Sequence, residues 1–416
     1  MGNGEATLNR LLLENRDRWP GGLSERQYSV LNLIAHCRTE VLGRLALACG
    51  DCGHLEVAPR SCGNRHCPLC LGARQARWAE AVCALLPEAA HFHVVFTLPE
   101  ELEGIYRANF RAMTEIFFRA AGSTLETFAR NNWGMEAGAV AVLHTWGRTL
   151  RWHPHIHMLV PAGGFRPGRA GFARARENYL FPVRAMSAVF RATFLRALSG
   201  ARDIAWPAPP ADPAARRAWM RQLAAKPWVI YSKPTMRRTR AVVRYLARYT
   251  SRTAVSNGRI RPDGDGALLD YHDHRDGRNK TMRLGLTELF RRFAAHIAPR
   301  GLRRIRYRGF LNPNSRRRQE LRATRTPPAP DTTTAPRCPR CGASRWTSLG
   351  PCPKIGSHEG KGIRLQQSRG TAPAPQNHRF TLRGGLSPPI SSNQRMQRTP
   401  AMPFDPPITP RVAADP

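Results

Sequence analysis

The chain has 416 residues and carries 65 Lys and Arg against 29 Asp and Glu, a formal net charge of +36. That length admits two or three domains with a substantial core, and the charge calls for a polyanionic partner. No apolar run reaches the roughly 18 residues of a membrane span, and the opening MGNGEATLNRLLLENRDRWP has no export-signal pattern. A soluble cytoplasmic protein with no membrane partner is the expectation.

Residues 1–85 hold seven of the ten cysteines. Cys49 and Cys52 form one C-x-x-C, and Cys67 and Cys70 form another after fourteen intervening residues. In a large chain without an export signal such pairs suggest metal rather than disulfides, and two of them supply the four thiolates of a tetrahedral Zn²⁺ site. Cys37, His54, Cys62 and His66 lie close enough in sequence to replace a thiol or to hold a second ion. The alternative is a set of reduced cysteines in a loop-rich domain. A site with four protein ligands keeps no open coordination position, so its expected role is structural. It would set the Arg-rich SCGNRHCPLCLGARQARW against a nucleic-acid backbone.

Residues 86–310 alternate strand and helix patterns. HFHVVFTLP (91–99), AGAVAVLHTWG (137–147) and HPHIHMLVPAGG (153–164) read as strands, the last two near enough to pair as a hairpin. Pro99, Glu100 and Glu101 open a helical stretch through IYRANFRAMTEIFFRAAG. A second helix is predicted through AVVRYLARYT (241–250). The strands AVSNGRI, ALLDYHDH and TMRLGL follow, and then a helix in TELFRRFAAHIAP that Thr287 caps and Pro299 stops. The pattern predicts an α+β domain on a largely antiparallel sheet.

Residues 311–335 read as a basic linker, and RGLRRIRYRGFLNPNSRRRQELRATR (300–325) as a segment that binds a phosphate backbone. At 336–358, Cys338, Cys341 and Cys352 suggest a minor cluster whose fourth ligand would be His358. Residues 359–416 are Pro-rich without apolar periodicity, and disorder is expected there.

His153, His155 and His157 alternate with Pro154 and Ile156, so a strand directs the imidazoles to one side and the apolar residues to the other. Such a pair of imidazoles can chelate a divalent ion, although a half-exposed strand also carries histidines without a ligand. If residues 147–152 make the hairpin connection, His144 lies at the level of His155 and is the leading third ligand. His91 and His93 form a second H-x-H that ranks well below. Tyr245 and Tyr249, four apart, share a helix face. Aromatic pairs at that spacing usually pack into a core, yet Arg240, Arg244, Arg248 and Arg252 form a neighbouring cationic stripe suited to DNA. Lys233 is a further candidate for phosphate contact. Trp133, Trp146, Trp152 and Trp228 either stack on bases or are buried, burial being the commoner fate.

SCGNRHCPLC, FHVVFTLP, HTWGRTLRWHPHIHMLVPAGG, VVRYLARYTSRTAVSNGRI and LFRRFAAHIAPRGLRRIRYRGFL, in this order, resemble the insertion-sequence-ninety-one-like family of rolling-circle transposases over about three quarters of the chain. The long Pro-rich tail departs from that family's pattern. The resemblance implies a zinc-binding, DNA-binding domain in 1–85 and, in 86–310, an endonuclease palm of the HUH superfamily with the His-Ile-His strand at its centre, the FTLP strand beside it and the tyrosine helix packed nearby. It implies that His155 and His157 ligate Mg²⁺ or Mn²⁺ and that Tyr245 and Tyr249 are alternative nucleophiles. The implied activity is nicking and transfer of single-stranded or hairpin DNA through a 5′-phosphotyrosine, in a protein associated with the nucleoid through its DNA. A plasmid replication initiator or relaxase would share this chemistry. A non-enzymatic zinc-dependent DNA-binding protein would account for the charge and the cysteines alone.

Overall fold

The computed structural model describes residues 7–207, 212–234, 254–273, 276–323 and 336–352. The helix predicted at 241–250, with Tyr245, Tyr249, Arg244 and Arg248, lies outside the described residues, as do Arg240, Arg252, His358 and the tail at 359–416.

The principal sheet assembles β3 (His91–Thr97), β4 (Glu136–Trp146), β5 (Trp152–Pro161), β6 (Gly163–Phe165), β7 (Ala173–Arg174) and β8 (Ile230–Pro234) in the order β7-β6-β4-β5-β3-β8. A further strand, β12 (Ile305–Gly309), pairs with β4. The pairings are antiparallel. The predicted hairpin is β4–β5, and β5 then inserts between β4 and β3, so the three strands richest in β-branched, aromatic and histidine residues lie side by side.

Strand alternation gives this sheet one apolar face. Phe92, Val94 and Phe96 of β3, Ala139, Ala141 and Leu143 of β4, and Ile156, Met158 and Val160 of β5 are buried in one cluster. Helices α5 (Phe110–Trp133) and α6 (Val183–Ser199) complete it through Phe117, Phe118, Phe190 and Phe194. The predicted stretch after Pro99 is a short turn, then α4 (Glu103–Ala108), a break at Asn109, and α5. Gly134 ends α5 in the left-handed conformation, φ +60°, where a Cβ is disfavoured.

A second cluster joins the N-terminal helices α1 (Thr7–Glu14) and α2 (Glu25–Ala35) to a three-stranded sheet and a later helix. The sheet is β9 (Ile260–Asp263), β10 (Gly266–Asp273) and β11 (Arg278–Gly285), and the helix is α8 (Leu286–Ala295). Between them in sequence come α3 (Leu71–Leu85) and, after α6, α7 (Pro213–Ala225). Two expectations change here. In AVSNGRI only the last residue enters a strand, because 257–259 form a tight turn and Asn257 Oδ1 accepts the Leu8 N–H at 3.2 Å. Thr287 lies inside α8, whose N-cap is Gly285, and no side-chain cap is made.

The third sheet, β13-β1-β2, joins β1 (Arg44–Cys49) and β2 (Leu55–Pro59) to β13 (Trp346–Pro351). The last described helix, α9 (Arg316–Ala323), lies against α3. Among the described residues no helix is long and apolar enough to cross a membrane.

Candidate functional site

The face of β4 and β5 opposite the phenylalanine-rich core carries the histidines. The register sets His144 directly opposite His155 and Val142 opposite His157. One ligand nitrogen from each of His144, His155 and His157 falls within 4.8 Å of the others. The ring centroids of His144 lie 5.2 Å from His155 and 4.6 Å from His157. His153, the outermost of the three on β5, is exposed and stands outside this group.

Local contacts orient these rings. The His155 Nδ1–H donates to the His153 carbonyl at 2.7 Å, which leaves Nε2 as its lone-pair nitrogen. His144 is stacked on Trp146, two residues along the same face, at 4.6 Å. His157 Nδ1 lies 2.8 Å from Nε2 of His93, and the two rings stack at 5.0 Å. Removal from water pushes His155 down to about 3 and His93 to about 4. It also holds His157 well below its ordinary value, the neighbouring histidines acting in the same direction. His155 and His157 are therefore neutral at physiological pH and present lone pairs, the state a cation requires.

His93 belongs to the H-x-H that ranked low in the sequence. Its place follows from β5 lying between β3 and β4, which strand periodicity does not disclose. Lys233, on the edge strand β8, is exposed and pairs in register with His93. Trp146 and Trp228 are buried, and Trp133 and Trp152 pack partly buried against the main core.

The cysteines group differently from the sequence expectation. Cys49, Cys52, Cys67 and Cys70 do not meet in one site. Cys67 and Cys70 instead lie with Cys37 and Cys62, and Cys49 and Cys52 lie with Cys338 and Cys341, each set within 4.8 Å. The reason is positional: the first C-x-x-C is the tip of the β1–β2 hairpin, while the second opens α3 and faces the end of α2. In the Cys37 group, Cys70 Sγ is 3.5 Å from Cys37 Sγ and 3.6 Å from Cys62 Sγ. Bonds of about 2.3 Å to a tetrahedral zinc ion set sulfurs about 3.8 Å apart, so this spacing fits that ion. The Cys62 N–H donates to Cys37 Sγ at 3.3 Å and the Asn64 N–H to Cys62 Sγ at 3.5 Å, contacts that favour thiolate. Sulfur contacts hold Cys37 down at about 7. His54 and His66 join neither group, and Cys352 stands outside the pairing once expected with Cys338 and Cys341.

Three of the arginines of 300–325 depart from expectation. Arg306 makes a two-pronged ion pair with Glu115 at 2.7 and 2.5 Å and lies over the Phe118 ring at 4.3 Å. Arg308 donates to the Phe118 carbonyl at 2.5 Å. Half-buried Arg304 lies over Trp146 at 5.8 Å, and desolvation with nearby Arg65 lowers it to about 10. Arg306 and Arg308, two apart on β12, are directed to the same side by strand alternation and fasten the strand to α5.

Comparison with known proteins agrees with this architecture. The family model described as "Transposase zinc-binding domain" matches residues 9–98, and the one described as "Putative transposase" matches residues 138–319. A relative from Sinorhizobium fredii, named "Putative transposase y4qJ", is 39% identical over 371 residues, covering 85% of this chain and 92% of that protein. The "Transposase for insertion sequence element IS801" of Pseudomonas savastanoi pv. phaseolicola is 30% identical over 298 residues, 70% of this chain and 72% of that protein. No solved structure gives a significant match. With its cysteine-rich N-terminal region and its histidine-bearing sheet inside these matches, the chain belongs to the insertion-sequence-ninety-one-like family of transposases.

Proposed function

We propose that this transposase nicks and transfers single-stranded DNA through a covalent 5′-phosphotyrosine intermediate, in rolling-circle transposition. The observation that carries the reading is the convergence of His144, His155 and His157 within 4.8 Å on one sheet face. Three convergent imidazoles fit a divalent cation, and a set of nitrogen donors suits Mn²⁺ better than Mg²⁺. Such an ion, when bound, would neutralise the scissile phosphate and stabilise the departing oxygen.

In this reading Tyr245 or Tyr249 supplies the nucleophile. The phenol oxygen attacks phosphorus, an O–P bond to tyrosine forms, the bond to the 3′ oxygen breaks, and the 3′ hydroxyl leaves with a proton. The phosphodiester energy stays in the phosphotyrosine, so a 3′ hydroxyl reverses the step and joins strands without ATP or water as nucleophile. Two tyrosines allow one to hold an end while the other cuts the next junction. Lys233, Arg244, Arg248 and Arg252 would bind phosphates. Residues 1–85 would serve as the zinc-binding, DNA-binding part and 86–310 as the catalytic part, with unpaired or hairpin transposon ends as substrate, since an unpaired strand enters such a site without melting.

The test is a labelled single-stranded terminal oligonucleotide incubated with Mn²⁺ or Mg²⁺. A covalent adduct is expected that survives denaturation, disappears in the Tyr245→Phe/Tyr249→Phe double variant, and falls at least 100-fold in His155→Ala and His157→Ala. DNA binding without any adduct in either metal would instead support a non-enzymatic DNA-binding role and sink the proposal.

A further inference from the structure

We propose that the chain carries a second structural zinc site, a tetrathiolate of Cys49 and Cys52 with Cys338 and Cys341, which fastens residues 336–352 to the N-terminal hairpin. The segment that supplies half of this site lies beyond both family matches, which cover 9–98 and 138–319.

Two short motifs meet here, CGDCG at 49–53 and CPRCG at 338–342, and they share one backbone design. The Cys49 N–H donates to the His54 carbonyl at 2.8 Å and the Gly53 N–H to the Cys49 carbonyl at 3.0 Å. In the other motif the Cys338 N–H donates to the Ala343 carbonyl at 2.7 Å and the Gly342 N–H to the Cys338 carbonyl at 2.8 Å. Both glycines are left-handed, φ +68° at Gly53 and +76° at Gly342, which lets each turn fold back beneath its two sulfurs.

The sulfurs face one another across the pair. Cys49 Sγ is 3.6 Å from Cys341 Sγ, and Cys52 Sγ is 3.7 Å from Cys338 Sγ. These separations match the roughly 3.8 Å edge of a tetrahedral zinc–sulfur site. None of the four cysteines forms a disulfide. Neighbouring contacts hold the same geometry. β13 pairs antiparallel with β1, Cys49 opposite Trp346, the Gly50 N–H donates to the Arg345 carbonyl at 2.9 Å, and Arg345 forms an ion pair with Asp51. Four soft thiolates suit zinc, and binding releases the remaining thiol protons. With four protein ligands the site has no open position, so its role is to hold chain segments together. It stands independently of the strand-transfer reading.

The experiment uses the full-length chain purified under reducing, chelator-free conditions, with zinc measured by elemental mass spectrometry and cobalt substitution followed by thiolate-to-metal absorption. Cys338→Ser/Cys341→Ser is expected to lose one zinc per chain and about half of the cobalt–thiolate absorption. Cys37→Ser/Cys62→Ser should lose the other half, and Cys352→Ser neither. Cys341→His, which keeps four ligands, should retain the metal and shift the cobalt bands, which separates loss of a ligand from loss of fold. Unchanged zinc and absorption in Cys338→Ser/Cys341→Ser would overturn the proposal. So would a Cys49–Cys341 or Cys52–Cys338 disulfide in freshly purified wild type.

Discussion

His155 and His157 sit two apart on one strand yet are held by different means. His155 is fixed through its Nδ1–H to a carbonyl of its own strand, whereas His157 leans on an imidazole from the next strand, His93. A ligand whose second nitrogen is hydrogen-bonded keeps its tautomer and orientation, and loss of such a partner typically weakens metal binding 10- to 100-fold. His93→Gln should therefore raise the Mn²⁺ concentration needed for half-maximal adduct formation by about that factor, with the rate at saturating Mn²⁺ changed far less. A titration of rate against metal distinguishes this from general unfolding. His296 is buried differently, its Nε2–H donating to the Leu150 carbonyl at 3.0 Å, Nδ1 facing the Thr145 hydroxyl at 3.2 Å and the ring stacked on Trp152. Burial, with Arg107 acting in the same direction, lowers it from 6.5 to about 4. Between those values the unfolded chain binds the proton and the folded chain does not, so this residue's contribution is intact above pH 6.5 and lost as pH falls to about 4. The loss is roughly 3 kcal/mol at most. His296→Gln should thus show a smaller drop in Tm between pH 6.5 and 4 than wild type, measured by calorimetry on parallel samples. Of these residues, His144, His155 and His157 were legible from strand alternation and a short hairpin connection. His93 was not: the FTLP strand lies beside the His-Ile-His strand as the resemblance implied, but the contact of His93 with His157 depends on the register between those strands.

At the level of elements, the hairpin β4–β5 and its partner β3 were readable because period-two alternation with a fully apolar face leaves a strand one way to lie. β12 was not readable. Its sequence IRYRG looked like part of a solvated basic run, but Arg304, Arg306 and Arg308 point at aromatic rings, Glu115 and a carbonyl. Arg306→Ala should accordingly lower Tm while leaving the salt dependence of DNA binding unchanged, a pair of outcomes that thermal denaturation and a binding titration resolve. The end of β12 adds a sharper test. Gly309 has φ +52°, and a Cβ there would fall 1.7 Å from the Ala137 carbonyl oxygen. Both the backbone conformation and the close approach require glycine, so Gly309→Ala should cost at least about 2 kcal/mol in chemical denaturation. The Thr287 cap failed for a related reason: β11 runs straight into α8 at Gly285, so the helix has already begun when Thr287 arrives.

For the molecule as a whole, the +36 charge was the plainest signal in the sequence, though it said nothing about which arginines face outward. For single-stranded DNA the logarithm of affinity should fall linearly with the logarithm of salt, with a slope near −4 if about six phosphates are neutralised. A slope near zero in a fluorescence-anisotropy titration would show that the net charge does not contact DNA. The cysteine partners were the least legible feature, because nearness in sequence favoured grouping residues 49–70 and concealed a partner almost 300 positions away. The join between β1 and β13 also sets an order of events during synthesis. The amino-terminal hairpin emerges from the ribosome early, but its outer strand is encoded near codon 350, so that sheet stays two-stranded until nearly all the described residues have been translated. A polypeptide arrested partway therefore displays the bare edge of β1, a ready docking place for chaperones and proteases.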